Sequence, residues 1–311
     1  MDAGLLSYLV FFLTLSGVYM ILSLGLNIQW GYNGQINIGI AGFFAIGAYT
    51  SAILTTAPTD IHLGGFGMPF FVGALGAVLA AGILAFLIGL ITLELRGDYL
   101  AIASIGIAEI VRLTLKNEGW LTNGVRGVPA IPKPFADVFP GWEDEVFLAV
   151  VAVFVVLSYL AVNRLFHSPW ARTVRAIRAN EPAVQAVGKS ILNYRLQAFV
   201  LGSMFMGLAG SLYAAFVAFI SPSAFDPMFA TFFIWVMLIT GGSGNNKGAI
   251  VGALLIWGIW SGTEMLTTSF LPDDWTTRAS ALRIFLIGLL LEVVLLLRPQ
   301  GLFPEQPPKV R

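Results

Sequence analysis

The sequence predicts an all-α protein, a polytopic transmembrane helical bundle that forms one membrane-spanning domain over residues 1–311. Hydrophobic residues make up 57% of the chain and charged residues only 11%, whereas soluble domains carry about 25% charged residues. The apolar residues also gather in runs long enough to cross the roughly 30 Å hydrocarbon core of a bilayer as helices. The lipid bilayer is therefore an expected partner. The formal net charge is zero, so no overall basic character indicates nucleic acid as a partner.

Nine apolar runs give the order of the spans. A run of roughly 17 or more residues with few charges is a candidate spanning helix. Eight or ten spans are alternatives to nine, because the seventh run is short and could re-enter the membrane or join its neighbour. The predicted spans are 5–28, 35–57, 68–93, 98–115, 146–163, 195–220, 227–240, 248–268 and 279–297.

A polar stretch, residues 164–195, separates the fifth and sixth spans and contains six of the seventeen Lys and Arg residues. Ser168 can cap a helix N-terminus, with a proline at the first helical position, and Asn180 can cap a second helix. Gly188 is a typical helix stop. The stretch therefore predicts two short helices broken near Pro182. They cover residues 169–179 and 181–187.

The distribution of basic residues predicts the orientation. Lys and Arg accumulate in cytoplasmic loops, so we place residues 164–195 inside and let the spans alternate. Arg96, Lys247, Arg298, Lys309 and Arg311 then join the six of the loop inside, and Lys116, Arg126, Lys133 and Arg278 fall outside. This excess predicts an N-terminus outside the membrane and a cytoplasmic C-terminus.

Two glycine- and asparagine-rich stretches interrupt the apolar pattern, residues 29–37 and 241–248. Each is either an ordinary tight turn or a break within a spanning helix. Irregular backbone inside a membrane is tolerated where it lines a cavity or lies buried in protein, and transporters often carry such breaks next to their substrate. If the first stretch borders a translocation path, four residues are the predicted lining: Asn33, Gln35, Asn37 and Gly39.

Two charged residues of the fourth span form an expected pair. Charges within a membrane are costly and are functional candidates for that reason. Glu109 and Arg112 are three residues apart and therefore share a helix face. We favour a structural intramembrane ion pair, and a substrate site is the alternative.

Motifs for catalysis, metal binding and nucleotide binding are lacking in the sequence. There is no cysteine, and His62 and His167 are far apart, so neither a thiolate nor a histidine-rich metal site is expected. Residues 183–190, AVQAVGKS, look like a relaxed phosphate-binding loop. That motif requires a preceding strand and a glycine-rich start, whereas these residues read as helix. We expect no catalytic residue, no metal and no bound cofactor, and hence no enzyme.

Four stretches carry a family resemblance: LGLNIQWGYNGQINIGIAGFFAIGAYTSAIL (24–54), LRGDYLAIASIGIAEIVRL (95–113), WARTVRAIRANEPAVQAVGKSILNYRLQAFVLGSMFMGLAGSLYA (170–214) and LRPQGLFP (297–304). In matching order and over nearly the whole chain, they resemble the permease subunits of bacterial branched-chain amino acid ABC importers, in particular the LivM type. The first and third stretches are the most specific. The urea-importer permease of the same superfamily is the nearest alternative.

The resemblance implies an importer in the bacterial plasma (inner) membrane that carries branched-chain amino acids inward by alternating access. This subunit would pair with a sister permease (LivH-like), with two cytoplasmic ABC ATPase subunits that use ATP and Mg, and with an external amino-acid-binding protein. Residues 164–195 would be its cytoplasmic coupling loop. The residues thereby implied at the ATPase interface are Arg172, Arg175, Arg178, Glu181, Ala183 and Gly188.

The residues themselves leave alternatives for this loop and for the function. An apolar stripe (Ala171, Val174 and Ile177) beside an arginine edge suits docking in a partner's groove. The same pattern suits an interfacial helix whose arginines meet anionic lipid headgroups. A stand-alone secondary transporter or channel is a function of another class, favoured by the polar interruptions. An intramembrane enzyme is a third hypothesis, without a catalytic constellation to support it.

Overall fold

The computed structural model describes residues 3–59, 62–95, 97–270 and 276–305, and the regular structure of this part of the chain is helical. A π-helical segment, Asn27–Tyr32, continues the first helix, and short 3₁₀ turns occupy Gly124–Arg126 and Pro222–Phe225. The α-helices are α1 Ala3–Leu26, α2 Ile40–Thr55, α3 Phe70–Thr92, α4 Asp98–Asn117, α5 Gly119–Thr122, α6 Glu143–Phe166, α7 Pro169–Ala179, α8 Glu181–Ala186, α9 Ile191–Val217, α10 Pro227–Gly241, α11 Asn246–Phe270 and α12 Thr276–Leu297.

Each of the nine predicted spans coincides with a helix, which confirms an all-α membrane bundle. Five stretches of the described chain are long and apolar enough to cross a membrane: Gly4–Tyr32, Phe70–Thr92, Glu143–Phe166, Ile191–Val217 and Asn246–Met265. Shorter apolar stretches occur in α2, α10 and α12. The remaining helix, α4, is 20 residues long but has a charged residue in its first turn, Asp98, and another in its last turn, Lys116.

Helix α9 lies at the centre of the bundle, against α1, α2 and α3, while α10 and α11 pair with each other and α11 also packs on α1. Glycines permit the closest approach between α2 and α9. A Cβ added at Gly47 would lie 2.5 Å from Gly207 Cα, and one at Gly210 would lie 2.7 Å from the Ala48 nitrogen. Small residues let helix backbones touch in membranes, and here they hold α2 against the central helix.

The segment between α4 and α6 contains α5 and a 3₁₀ turn. Val128 and Ile220 exchange two backbone hydrogen bonds, at 2.9 and 3.1 Å, and so join this segment to the end of α9. Lys133 forms an ion pair with Asp144, at 2.5 Å, next to the start of α6.

Candidate functional site

The polar stretch 164–195 folds as its sequence predicts. Its two short helices are α7 and α8, and each begins at a side-chain cap. The Ser168 hydroxyl accepts a hydrogen bond from the Ala171 N–H at 3.3 Å, and the Asn180 side chain accepts one from the Ala183 N–H at 3.1 Å. Gly188 ends the second helix with a φ of +76°, the left-handed conformation that glycine adopts without strain.

The apolar stripe of α7 faces the chain's own bundle. Ala171, Val174 and Ile177 are buried, and α7 packs on α6, on α9 and on the π-helical segment. Burial of a small apolar stripe against the nearest apolar surface is the expected outcome of the hydrophobic effect. The expectation that this stripe docks in a partner's groove therefore does not describe this structure. On α8, by contrast, Ala183 is exposed, and beyond its end Val187 is 73% exposed.

The three arginines of α7 have different surroundings. Arg172 is exposed. The Arg175 guanidinium lies 4.3 Å from the centre of the Phe166 ring and donates to the Ala171 and Phe166 carbonyls at 3.3 and 3.4 Å. Burial lowers the pKa of Arg175, although a guanidinium stays protonated in proteins. Arg175 therefore anchors α7 to the end of α6.

Arg178 connects α7 to two other parts of the chain. It donates a hydrogen bond to the Gly31 carbonyl in the π-helical segment. Its other terminal nitrogen forms an ion pair with Glu305 at 2.5 Å, beyond the end of α12. Glu181, at the start of α8, pairs with Arg195 of α9 at 2.9 Å. Both short helices of the loop are thus tied to other parts of the chain.

The first glycine- and asparagine-rich stretch is a helix break and not a tight turn. Residues 34–39 have no regular structure between the π-helical segment and α2. Side chains of other helices satisfy donors of this irregular backbone: Ser104 of α4 accepts from the Ile38 N–H at 2.9 Å, and Thr231 of α10 accepts from the Ala41 N–H at 3.2 Å. Such satisfaction is what irregular backbone at membrane depth requires.

The side chains of the break alternate in direction, as in an extended strand. Asn33, Gln35 and Asn37 are 3%, 4% and 0% exposed, whereas Ile36 and Ile38 line a cleft. Asn37 donates to the Gln29 side chain at 2.8 Å, and Gln35 donates to the Arg195 carbonyl at 3.1 Å. A Cβ at Gly39 would lie 3.2 Å from the Ser104 carbonyl carbon. The side chains of Asn33, Gln35 and Asn37 therefore point into the subunit, and the last two fix the break in place through their hydrogen bonds.

The second stretch is a tight turn between α10 and α11, and it contacts the first. Asn27, inside the π-helical segment, accepts from the Gly244 N–H at 2.7 Å and donates to the Asn246 side chain at 3.1 Å. The Tyr32 hydroxyl donates to the same Asn246 oxygen. The sequence signalled the two stretches separately, but nothing in it signalled Asn27, Tyr32 and Asn246 as contacts between them.

A cleft near these elements has a volume of about 940 Å³. Glu109 and Arg112 form the predicted ion pair in its wall, with two hydrogen bonds at 2.8 and 2.5 Å. Around the pair, aromatic and aliphatic side chains predominate. The lining residues are Ile36, Ile38, Ile105, Glu109, Arg112, Asp226, Pro227, Phe232, Phe233, Trp235, Trp260, Ile284 and Ile287.

Comparison with known proteins places this architecture in a family. Residues 8–295 match the family described as branched-chain amino acid transport system, permease component. The chain belongs to this permease family. It is therefore a multi-pass membrane permease subunit, as the resemblance in its sequence predicted. No solved structure matches the chain.

Three relatives show how far the similarity extends. The permease protein LivM of a high-affinity branched-chain amino acid transport system of Escherichia coli is 34% identical, over 96% of this chain and 70% of the relative. A probable branched-chain amino acid transport permease protein LivM of Methanocaldococcus jannaschii is 31% identical, over 94% and 92%. The permease protein LivH of Salmonella typhimurium is 25% identical, over 92% and 94%.

Proposed function

We propose that this chain is one of two permease subunits in an ATP-driven importer that carries branched-chain amino acids into the cell. The observation that carries the proposal is the loop 164–195. It presents the exposed helix α8 at one end of the bundle, while Arg178 reaches from the same loop to the π-helical segment that precedes the break. A force applied to the loop is thereby passed to the interrupted helix.

The partners follow from the chain's own chemistry and from its relatives. The sequence lacks a nucleotide-binding motif, so ATP and Mg belong to two cytoplasmic ATPase subunits. The chain is similar both to LivM and to LivH proteins, which supports a sister permease of LivH type as the second membrane subunit. An external amino-acid-binding protein delivers the substrate. The complex lies in the bacterial inner membrane, with this chain's C-terminus in the cytoplasm.

The ATPase subunit docks on α8 and on the exposed edge of α7. Ala183 and Gly188 are exposed, as is Arg172, and the small side chains of α8 allow close approach of a partner. Glu181 faces Arg195 in the isolated subunit. Arg175 and Arg178 act from behind the interface, because their guanidinium groups hold α7 on the bundle. The six predicted coupling residues therefore divide into contact residues and residues that support the contact.

The break 33–39 borders the translocation path. Ile36 and Ile38 face the cleft and give it an apolar wall that suits an aliphatic side chain. Gln35 and Asn37 hold this wall from behind through their hydrogen bonds. Side-chain atoms of Asn33 and Gln35 are buried without a hydrogen-bond partner in the described chain. Buried groups of this kind are costly, so these two residues find partners when the segment moves during the transport cycle.

Reconstitution of the complete importer in proteoliposomes tests the proposal. With ATP inside and the binding protein outside, we expect uptake of leucine but not of urea. Glu181→Gln should abolish uptake while the binding protein still binds leucine. The control is Arg195→Gln, which removes the same internal ion pair but retains the Glu181 carboxylate. Equal uptake by the two variants would refute the assigned role of Glu181.

A stand-alone transporter is the second candidate function, because an interrupted helix is also found in secondary transporters. This chain alone in liposomes would then move leucine down a solute or ion gradient without any ATPase subunit. We expect no such uptake. Gradient-driven uptake by the isolated chain would favour this candidate over the importer.

A further inference from the structure

The ion pair in the large cleft is placed where a ligand can reach it. Glu109 and Arg112 have side chains that are 37% and 21% exposed, and both line the cleft together with Ile36, Ile38 and Ile105. Two charges in a membrane-spanning helix are expensive. The pair joins two residues of one helix at a spacing of three, so this contact ties no two helices together. Packing alone therefore gives no reason for its position.

The ion pair carries charges that are complementary to those of a free amino acid. An amino acid carries an ammonium and a carboxylate next to each other, and Glu109 and Arg112 present the opposite charges in the same proximity. Arg112 uses two of its five N–H donors on Glu109, and a guanidinium can serve a second carboxylate with the others. Asp226 also lines the cleft and interacts electrostatically with Arg112. The wall thus holds two carboxylates and one guanidinium.

The rest of the cleft suits an aliphatic side chain. Ile105 lies one helical turn before Glu109 on the same face of α4, and Ile36 and Ile38 approach from the break. The volume of about 940 Å³ is near the upper end for ligand clefts, which are mostly apolar with a few placed polar groups. A charged pair beside branched apolar side chains is such a combination.

We propose that Glu109 and Arg112 form a recognition site for the zwitterionic backbone of an aliphatic amino acid, with the glutamate binding the ammonium and the arginine binding the carboxylate. This inference rests on the proposed function, because it places the cargo of the importer in the cleft. The sequence left two roles for the pair, a structural one and a substrate site, and this inference assigns the substrate site.

Cysteine labelling of the assembled importer tests the site. The chain contains no cysteine, so a single one can be introduced at Ile284, which lines the cleft from α12 and is 54% exposed. We expect leucine to slow labelling of I284C by a water-soluble maleimide at least several-fold. Leucinamide, which lacks the carboxylate, and 4-methylpentanoate, which lacks the ammonium, should give little protection. A cysteine at Val125, exposed in the segment between α4 and α6, is the control whose labelling leucine leaves unchanged.

Variants of the pair then separate recognition from structure. In the I284C background, Glu109→Gln and Arg112→Gln should each remove the protection by leucine, with the melting temperature of the complex unchanged, and Arg112→Lys should restore part of it. Retained protection in both glutamine variants, or equal protection by leucine and the two singly charged analogues, would overturn the inference. Unprotected I284C in an importer that transports leucine would overturn this inference alone. Absence of leucine uptake by the unmodified importer would overturn the proposed function as well.

Discussion

Replacement of Gly47 by alanine is expected to destabilise the centre of the bundle. The added Cβ would lie 2.5 Å from Gly207 Cα, whereas carbon atoms in contact need about 3.5 Å. Helices α2 and α9 must therefore move apart by about 1 Å, because the neighbour is backbone and cannot rotate away. Overpacking of this kind costs about 1–3 kcal/mol, and a backbone neighbour places the cost at the upper end of that range.

The control is the same substitution at Gly106, where a Cβ meets nothing within 4 Å. Alanine is favoured over glycine inside a helix by about 1 kcal/mol, and this gain applies at both positions. The net effect is then a loss of about 2 kcal/mol for Gly47→Ala, since the gain offsets part of the overpacking cost. For Gly106→Ala, a gain of up to about 1 kcal/mol remains.

Thermal melting of the two purified variants in one detergent measures the difference. We expect Gly47→Ala to lower the melting temperature by roughly 3 °C and Gly106→Ala to leave it unchanged or raise it. Transport by the assembled importer should fall only in the first variant, because α2 follows the helix break and α9 follows the loop 164–195. Equal melting temperatures would show that α2 and α9 are not in backbone contact, and would refute the packing described above.

Three further predictions concern the loop 164–195. Gly188→Val should abolish transport by the assembled importer, because a β-branched residue resists a φ of +76°. Gly188→Asn should retain most of the transport. Equal uptake by the two variants would contradict a need for this conformation. A double-mutant cycle of Arg178→Gln and Glu305→Gln, measured by thermal unfolding, should give a coupling energy of about 0.2–1 kcal/mol that declines at high salt, because both side chains are about one third exposed. Zero coupling at low salt would show that this pair adds no stability. Ser168→Ala should destabilise the start of α7 by about 1 kcal/mol. The measurement is hydrogen exchange at the Ala171 amide, which should become faster. An unchanged exchange rate would mean that the cap contributes nothing.

The sequence by itself determined the spanning helices of this protein, but not α5 or the π-helical segment. Apolar runs predicted nine spans, each of which coincides with a helix in the described part of the chain, because the hydrocarbon thickness of a bilayer sets a minimum length that composition alone reveals. It also predicted where α7 and α8 begin, because an N-cap such as Ser168 accepts a hydrogen bond from the backbone N–H three residues further along the chain. The Glu109–Arg112 pair was predictable for the same reason, since both residues lie on one turn of one helix.

Only the tertiary structure decided which elements meet. Asn27 and Asn246 are 219 residues apart in the chain and bond at 3.1 Å, and Arg178 reaches Glu305 at a separation of 127 residues. Helical periodicity defines a face but not its partner, so the buried side of α7 and the inward direction of Asn33, Gln35 and Asn37 could not be known beforehand. The helices follow from local contacts, whereas the cleft and the connection between loop and break follow from packing among elements that are distant along the chain.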